Sequence, residues 1–500
     1  MNQVRTIIAS SAMTYQQKLY KLAMEAEATL PPPQYPAAAR QHIRAGVICE
    51  MSEGNAPYRP RYILPDYAVL MRRGSAFLGL DPPRTLAEAL NALTIIYRHV
   101  PSITSFPVFL GNLDELLEPF VRRIPRAAAA AAIRGFLLHL DRTLTDSFVH
   151  ANIGPRATRT GELILAAERE LQNAVPNLSL KYSPQLTPRA FALDAVRTGL
   201  AVSKPYFVND DLLRDTYPGG YGVASCYNTL PLGGGSFTLV RLNLAALARR
   251  NRGRNVARFL DRELPAAVAA MGAVIEARLR FLVEESGFFT RNFLVEEGFI
   301  ARDRFTAMFG IYGLAECVNH LLNARAPRDR YGRGAAARSL GLAIMTLLRD
   351  EVARLRSRHC AITGHRYVLH AQSGITTDVG VTAGVRIPSG EEPPEIIDHI
   401  RHTAPFHDFF PAGVSDIFLF EKTARRNPAH VLDIAAGAMA AGLRLFAFGC
   451  SDSDLVRITG FLVKRSAIAQ AKRGRPVLHG TVALSVDSFR SAALLNRIVR

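Results

Sequence analysis

Cys226 lies in GGYGVASCYNTLPLGGGSFTLV, with glycines on both flanks and a strand-like run leading in. That composition suits a tight loop carrying a thiol at its tip; the alternative is an inert cysteine packed as a small hydrophobe. The GGGS that follows has the look of a phosphate-cradling nest but lacks the lysine and spacing of a P-loop, so a turn is the better reading. RHCAITGH places His359, Cys360 and His365 together, yet no fourth ligand is apparent and the spacing matches no standard zinc pattern. PFHDFF and LHLD each hold a histidine near an aspartate, with no Gly-x-Ser-x-Gly elbow for either to serve. Near the end, LVRITGFLVKR (Leu455–Arg465) reads as a buried strand broken by Gly460. A strand glycine packs nothing and marks a bulge, a bend or a close backbone approach.

The elements that must position these residues change character along the chain. TYQQKLYKLAMEAEATL, TLAEALNALTIIYRHV and IPRAAAAAAIRGFLLHLDRTLTDSF carry apolar residues at helical spacing, the first ending at PPPQYP. From about residue 160 helices alternate with strands: GELILAAERELQNAV, NLSLKYS, TPRAFALDAVRTGL, KPYFVND. A strand-turn, YGVASCYN, precedes SFTLVRLNL and the helix AALARR. Later strands are HRYVLHAQ, VGVTAGVRI, DIFLF, RLFAFG and VRITGFLV. Such alternation predicts an α/β domain, either an open sheet or a barrel. RAPRDRYGRG and PSGEEPPE are the expected exposed loops.

Of the 500 residues 48% are apolar and 21% charged, which places the chain among globular proteins able to bury a large core. The net charge of +18 invites a nucleic-acid reading, but only seven of the 61 basic residues are lysine and the arginines are spread throughout, without a groove-facing stripe. An anionic substrate or partner is the weaker inference that survives. Five widely spaced cysteines without a CxxC argue against a disulfide framework or a zinc ribbon and suit a reducing cytosol. The N-terminus has no secretory h-region, and LDIAAGAMAAGLRLFAFGC, interrupted by Arg444 and two glycines, reads as a core helix and strand rather than a membrane span.

RITGF resembles the C-terminal signature of glycyl radical enzymes, Arg-[Ile/Val]-[Ser/Thr]-Gly-[Tyr/Phe]. KPYFVNDD (Lys204–Asp211) resembles their Pro-x-x-x-Asn-Asp segment, and VPNLSLKYSP another family segment. The order also fits, with the glycine loop 234 residues after the cysteine. The short chain resembles the YjjI-type subgroup. The resemblance implies a ten-stranded α/β barrel ringed by helices, with a helical region over residues 1–120, the barrel over 121–450 and the radical loop and tail over 451–500. It implies that Gly460 stores a radical in a planar form that a Cβ would hinder, and that Cys226 passes it as a thiyl to a substrate C–H bond. No stably bound cofactor and no metal are implied. A separate S-adenosylmethionine/iron–sulfur activating enzyme would install the radical, in the cytoplasm, on a chain that is often a homodimer in this family.

Departures narrow the reaction. Ser225 stands where formate acetyltransferases have a second cysteine, and Asn228 where dehydratases and lyases have a carboxylate base. GGSFTLVRLNLAALA and FGIYGLAECVNHLL resemble segments of anaerobic ribonucleotide reductases, matching Asn243 and Glu316, but the four-cysteine zinc ribbon of those enzymes is missing. The resemblance thus places Asn228, Asn243 and Asn209 at a small polar, anionic or phosphorylated substrate, and Arg457 in support of the radical loop. The alternatives are an acetyltransferase-like or lyase-like radical enzyme, and a catalytically idle homologue acting as a binding partner.

Overall fold

A computed structural model of the chain describes residues 3–31, 33–49, 58–103, 106–371, 381–388, 395–458, 460–480, 482 and 497–499. The leading helices form where their caps allow. Tyr15–Glu27 opens on Thr14, whose side chain accepts from the Gln17 N–H while Gln17 reaches back to the Thr14 N–H. Leu86–Tyr97 opens on Thr85 in a similar way, and Arg126–Thr143 follows Pro125, which has no N–H to lose.

In chain order the strands are β1 (Ile48–Cys49), β2 (Tyr62–Leu64), β3 (His150–Ile153), β4 (Asn177–Tyr182) and β5 (Tyr206–Asn209). They continue with β6 (Tyr221–Ala224), β7 (Asn228–Pro231), β8 (Gly234–Asn243), β9 (Phe305–Tyr312) and β10 (Val368–Ala371). Last come β11 (Asp416–Phe420), β12 (Leu445–Cys450), β13 (Leu455–Arg457), β14 (Leu462–Lys464) and β15 (Arg497–Val499). One sheet holds β8, β9 and β10 in parallel, with β1 and β2 antiparallel to β8. The other runs β15-β11-β12-β5-β4-β3; its β3, β4 and β5 are parallel and β12 meets β5 antiparallel. Every residue of β3, β4, β5, β8 and β9 is buried, as parallel strands covered on both faces require.

Two expectations change. Among the described residues no ladder joins the two sheets, so the strands form sheets of five and six rather than one closed ring of ten. The β6–β7 hairpin comes between them, packing on β3 of one sheet and on β8 and β9 of the other, with the Asn152 side chain of β3 hydrogen-bonded to the Val223 backbone of β6. VGVTAGVRI is not a strand where it is described, over 381–387; Val379 and Gly380 lie outside the described residues, as does most of PSGEEPPE. Gly384 takes a φ of +48°, which breaks an extended run, and the carbonyls of Thr382 and Gly384 instead accept from the N–H groups of Gly313 and Leu314, the cap and first residue of the helix Leu314–Leu321.

The GGGS stretch is a close approach and not a ligand nest. A Cβ on Gly234 would collide with the Arg304 carbonyl, and one on Gly235 with the Tyr62 carbonyl, because β8 is squeezed between these neighbours. Within the described residues no helix is long and apolar enough to cross a membrane.

Behind β5 lies a fully buried ion pair, Lys204 Nζ 2.8 Å from Glu168 Oε2, with Lys204 also donating to the Pro176 carbonyl at 2.7 Å. Burial lowers the lysine pKa and raises that of the glutamate, while their mutual attraction opposes both shifts. Removing one partner strands the other in the core. Lys204→Met is expected to cost about 3–5 kcal/mol in urea unfolding, and Lys204→Met/Glu168→Leu to recover most of that loss. A single variant as stable as the parent would mean that the pair is not buried in solution.

Candidate active site

The cysteine loop is the turn of the β6–β7 hairpin, registered Tyr221↔Pro231 through Ala224↔Asn228. The three residues between, Ser225, Cys226 and Tyr227, are all buried, and Ser225 sits at φ 56°, a left-handed conformation that a non-glycine residue adopts only when its surroundings impose it. The surroundings are specific. The Ser225 N–H donates to the Val108 carbonyl at 3.1 Å. His150 Nδ1 meets the Ser225 carbonyl at 2.9 Å, and the Tyr206 hydroxyl donates to the Cys226 carbonyl at 2.8 Å. Asn152 takes both backbone groups of Val223, and Asn228 Nδ2 donates across the hairpin to the Ala224 carbonyl at 3.0 Å.

The glycine loop is also a hairpin, which corrects the reading of RITGF as one interrupted strand. β13 pairs antiparallel with β14, Val456 opposite Val463, and Gly460 stands in the connecting turn. Val456 and Val463 suit a paired strand, whereas the tip must admit another backbone. Thr459 lies outside the described residues. The Gly460 carbonyl accepts from Asn177 Nδ2 at 2.7 Å and from Arg457 Nη1 at 3.0 Å. Arg457, 1% exposed, also donates to the Ser203 carbonyl at 2.7 Å and lies 4.8 Å from the centre of the Tyr206 ring. Burial holds its pKa down at about 10, so it stays charged at neutral pH.

These two loops meet. A Cβ built on Gly460 would collide with Cys226 Cβ and stand 2.9 Å from the Cys226 carbonyl carbon. No residue with a side chain fits at 460 without moving the cysteine backbone. Gly460 is buried and Cys226 is 5% exposed, so solvent is kept from the junction. The supports of the two loops are neighbours themselves. His150 opens β3, Asn177 opens β4 directly opposite it, and Tyr206 opens β5. One edge of three parallel strands therefore holds both hairpins in register.

The structure puts Gly460, Cys226, Arg457 and Asn228 in one place; the Asn228 Oδ1 is buried without a hydrogen-bond partner. The other asparagines have structural engagements. Asn209 Nδ2 donates to the Met439 and Leu443 carbonyls, both at 3.0 Å, and Asn243 caps the helix Leu244–Arg250 through the Ala246 N–H. Glu316 is half-buried at the start of its helix and bonded to the Thr382 N–H and hydroxyl, and desolvation of its carboxyl raises its pKa. Of the RHCAITGH residues, His359 lies 3.5 Å from Glu284, Cys360 is buried with its thiol pushed up to about 12, and His365 faces the Ser357 carbonyl. Sequence reasoning missed His150, Tyr206 and Asn177 as supports. The last two lay inside segments quoted for their resemblance, and nothing local marked His150.

His150 carries a pH dependence of known sign. Burial depresses its pKa from the ordinary 6.5 to about 3. Above pH 6.5 both folded and unfolded forms are neutral there and the residue adds no pH slope. Below it the unfolded chain binds a proton that the folded one refuses, so stability falls as pH drops from 6.5 toward 3, by up to about 1.4 kcal/mol per unit. Urea unfolding of His150→Gln between pH 7.5 and 5 is expected to show a shallower loss than the parent; equal slopes would put the titration elsewhere.

Residues 13–500 match the model of the YjjI-like glycyl radical enzymes. Protein YjjI of Escherichia coli is 43% identical over 492 residues, covering 98% of this chain and 94% of its own. A Haemophilus influenzae protein is 39% identical over 506 residues, covering 100% and 98%. Among solved structures, the anaerobic ribonucleotide reductase of Thermotoga maritima in complex with dATP and CTP aligns with a TM-score of 0.68 at 14% identity, over 87% of this chain and 85% of its own. Hydroxyproline dehydratase from Clostridioides difficile aligns with 0.69 at 11% identity, over 94% and 88%. At such identities the structures share the fold with this chain, whereas the family model and both relatives span nearly all of its sequence: the chain belongs to the YjjI-like family of glycyl radical enzymes.

Proposed function

We propose that Gly460 stores the radical and that Cys226 abstracts hydrogen from a small polar substrate. The observation that carries this reading is the collision a Cβ at position 460 would make with Cys226. An activated Gly460 has lost one Cα hydrogen, leaving an unpaired electron shared with the two adjoining amides. It recovers that hydrogen from the Cys226 thiol, forming a thiyl and an ordinary glycine. The thiyl takes hydrogen from a substrate carbon, restoring the thiol and leaving a substrate radical. The chain's own residues supply position: Asn177 and Arg457 fix the plane of the Gly460 peptide group, while Tyr206 and His150 fix the turn bearing the thiol. Burial excludes oxygen, which would otherwise add to the radical and cut the chain.

Family members are generally activated by a separate radical S-adenosylmethionine enzyme, and that partner is proposed here too. Ser225 beside Cys226 disfavours acyl transfer through paired thiols, and Asn228 cannot act as a carboxylate base. The test is electron paramagnetic resonance after anaerobic incubation with the activase, a reductant and S-adenosylmethionine. A doublet is expected, and air should then release a C-terminal piece of about 40 residues. Spin appearing with no cleavage near residue 460 would sink the assignment.

A further inference from the structure

Besides Arg457, a second buried arginine lies near the cysteine, and it has no carboxylate partner among the described residues. Arg386 is 4% exposed, in the segment 381–388 that follows β10. Its Nε donates to the Ser415 carbonyl at 2.6 Å and its Nη2 to the Tyr227 hydroxyl at 3.0 Å, with the guanidinium carbon 5.6 Å from the centre of that ring. Nη1 is buried with no partner. No described carboxylate forms an ion pair with Arg386. Asp416, next to Ser415, is turned instead to His399 and His407, each 3.1 Å away. Tyr227 adjoins Cys226 in the turn, so the bond to its hydroxyl ties Arg386 to the thiol's immediate neighbour in the chain. Asn228 follows, with its buried Oδ1 an acceptor awaiting a donor.

A buried guanidinium without an opposing charge is costly. Its planar fork is matched to carboxylate and phosphate oxygens. We propose that Arg386 is the oxyanion-binding residue of the substrate site. The substrate is then a small molecule bearing a carboxylate or a phosphate monoester, with a hydroxyl or amine nearby for Asn228. This rests on the Cys226–Gly460 junction being the reacting centre.

The test is calorimetric titration of protein never exposed to an activase, with lactate, glycerol 3-phosphate and neutral glycerol as probes at millimolar concentration. At least one anionic probe should bind more tightly than glycerol, and whether it is lactate or glycerol 3-phosphate tells carboxylate from phosphate. R386Q should weaken that binding roughly 10- to 100-fold, as the loss of a charged hydrogen bond does, and leave glycerol unchanged. Circular dichroism checks that R386Q folds; if it does not, R386K decides, because a point charge without the fork should still weaken the anion about tenfold. Unchanged affinity in a folded variant, glycerol binding as well as the anions, or no anionic probe binding to the parent would each overturn the proposal. Since the titration needs no radical, a paramagnetic doublet without Arg386-dependent binding removes the subsite alone. Arg386-dependent binding in a chain that can never be activated would keep the subsite and remove the radical reading.

Discussion

Gly460→Ala is expected to abolish the paramagnetic doublet and to destabilise the fold in the same stroke. The first effect follows from chemistry. An alanyl Cα keeps one hydrogen, but its methyl opposes the planar arrangement in which the spin spreads over both amides. The second follows from packing. The new Cβ would stand 2.9 Å from the Cys226 carbonyl carbon and closer still to its Cβ, and these are backbone and near-backbone atoms that cannot swing aside. Overpacking of this kind typically costs about 1–3 kcal/mol, and the left-handed Ser225 next door leaves the turn little room to adjust. Calorimetry of the unactivated variant measures the packing cost; resonance after activation measures the chemistry. A doublet of parental intensity would move the radical to another residue. An unchanged melting temperature would mean that the two hairpins stand apart in solution.

Cys226→Ala should separate storage from transfer. The variant keeps Gly460 and every backbone hydrogen bond of the turn, since Tyr206 and His150 both hold carbonyls and not the side chain. Its doublet is therefore expected to form at the parental level. What is lost is exchange. The doublet arises from the single hydrogen left on the radical carbon. In heavy water the thiol becomes S–D, gives deuterium to Gly460 as the thiyl forms, and recovers hydrogen or deuterium when the step reverses. Repeated cycles replace the α-hydrogen, and the doublet of the parent should collapse to a singlet. In Cys226→Ala the splitting should persist, because no thiol remains beside the glycine. Collapse at the parental rate in the variant would show that another group reaches Gly460, and that Cys226 is not the carrier. This measurement needs no knowledge of the substrate.

The residue types of the centre were plain in the chain. A glycine in a run of β-branched residues and a cysteine among glycines are local features, and so is the alternation of helices with strands that placed β4, β5, β8, β11 and β12. Local features misled where a backbone detail decided. VGVTAGVRI has strand composition, yet Gly384 turns it into a cap for a distant helix. RITGF looks like one strand because nothing in it says that Leu455–Arg457 will fold back on Leu462–Lys464. The ring of ten strands came from resemblance, and the described ladders are two larger sheets and two separate hairpins.

The sequence by itself determined that position 460 has no side chain and that 226 carries a thiol, and from the order of motifs it determined which family to suspect. Only the tertiary structure decided that these two residues touch. Their contact depends on His150, Asn177 and Tyr206 opening three adjacent parallel strands, and on Arg457 bonding both Gly460 and Ser203. Such pairings join segments separated by up to 283 positions, and no periodicity or composition along the chain records them. The buried charge of Arg386 was equally silent among so many arginines, because burial beside Tyr227 with no ion pair among the described residues is a property of the fold and not of the chain.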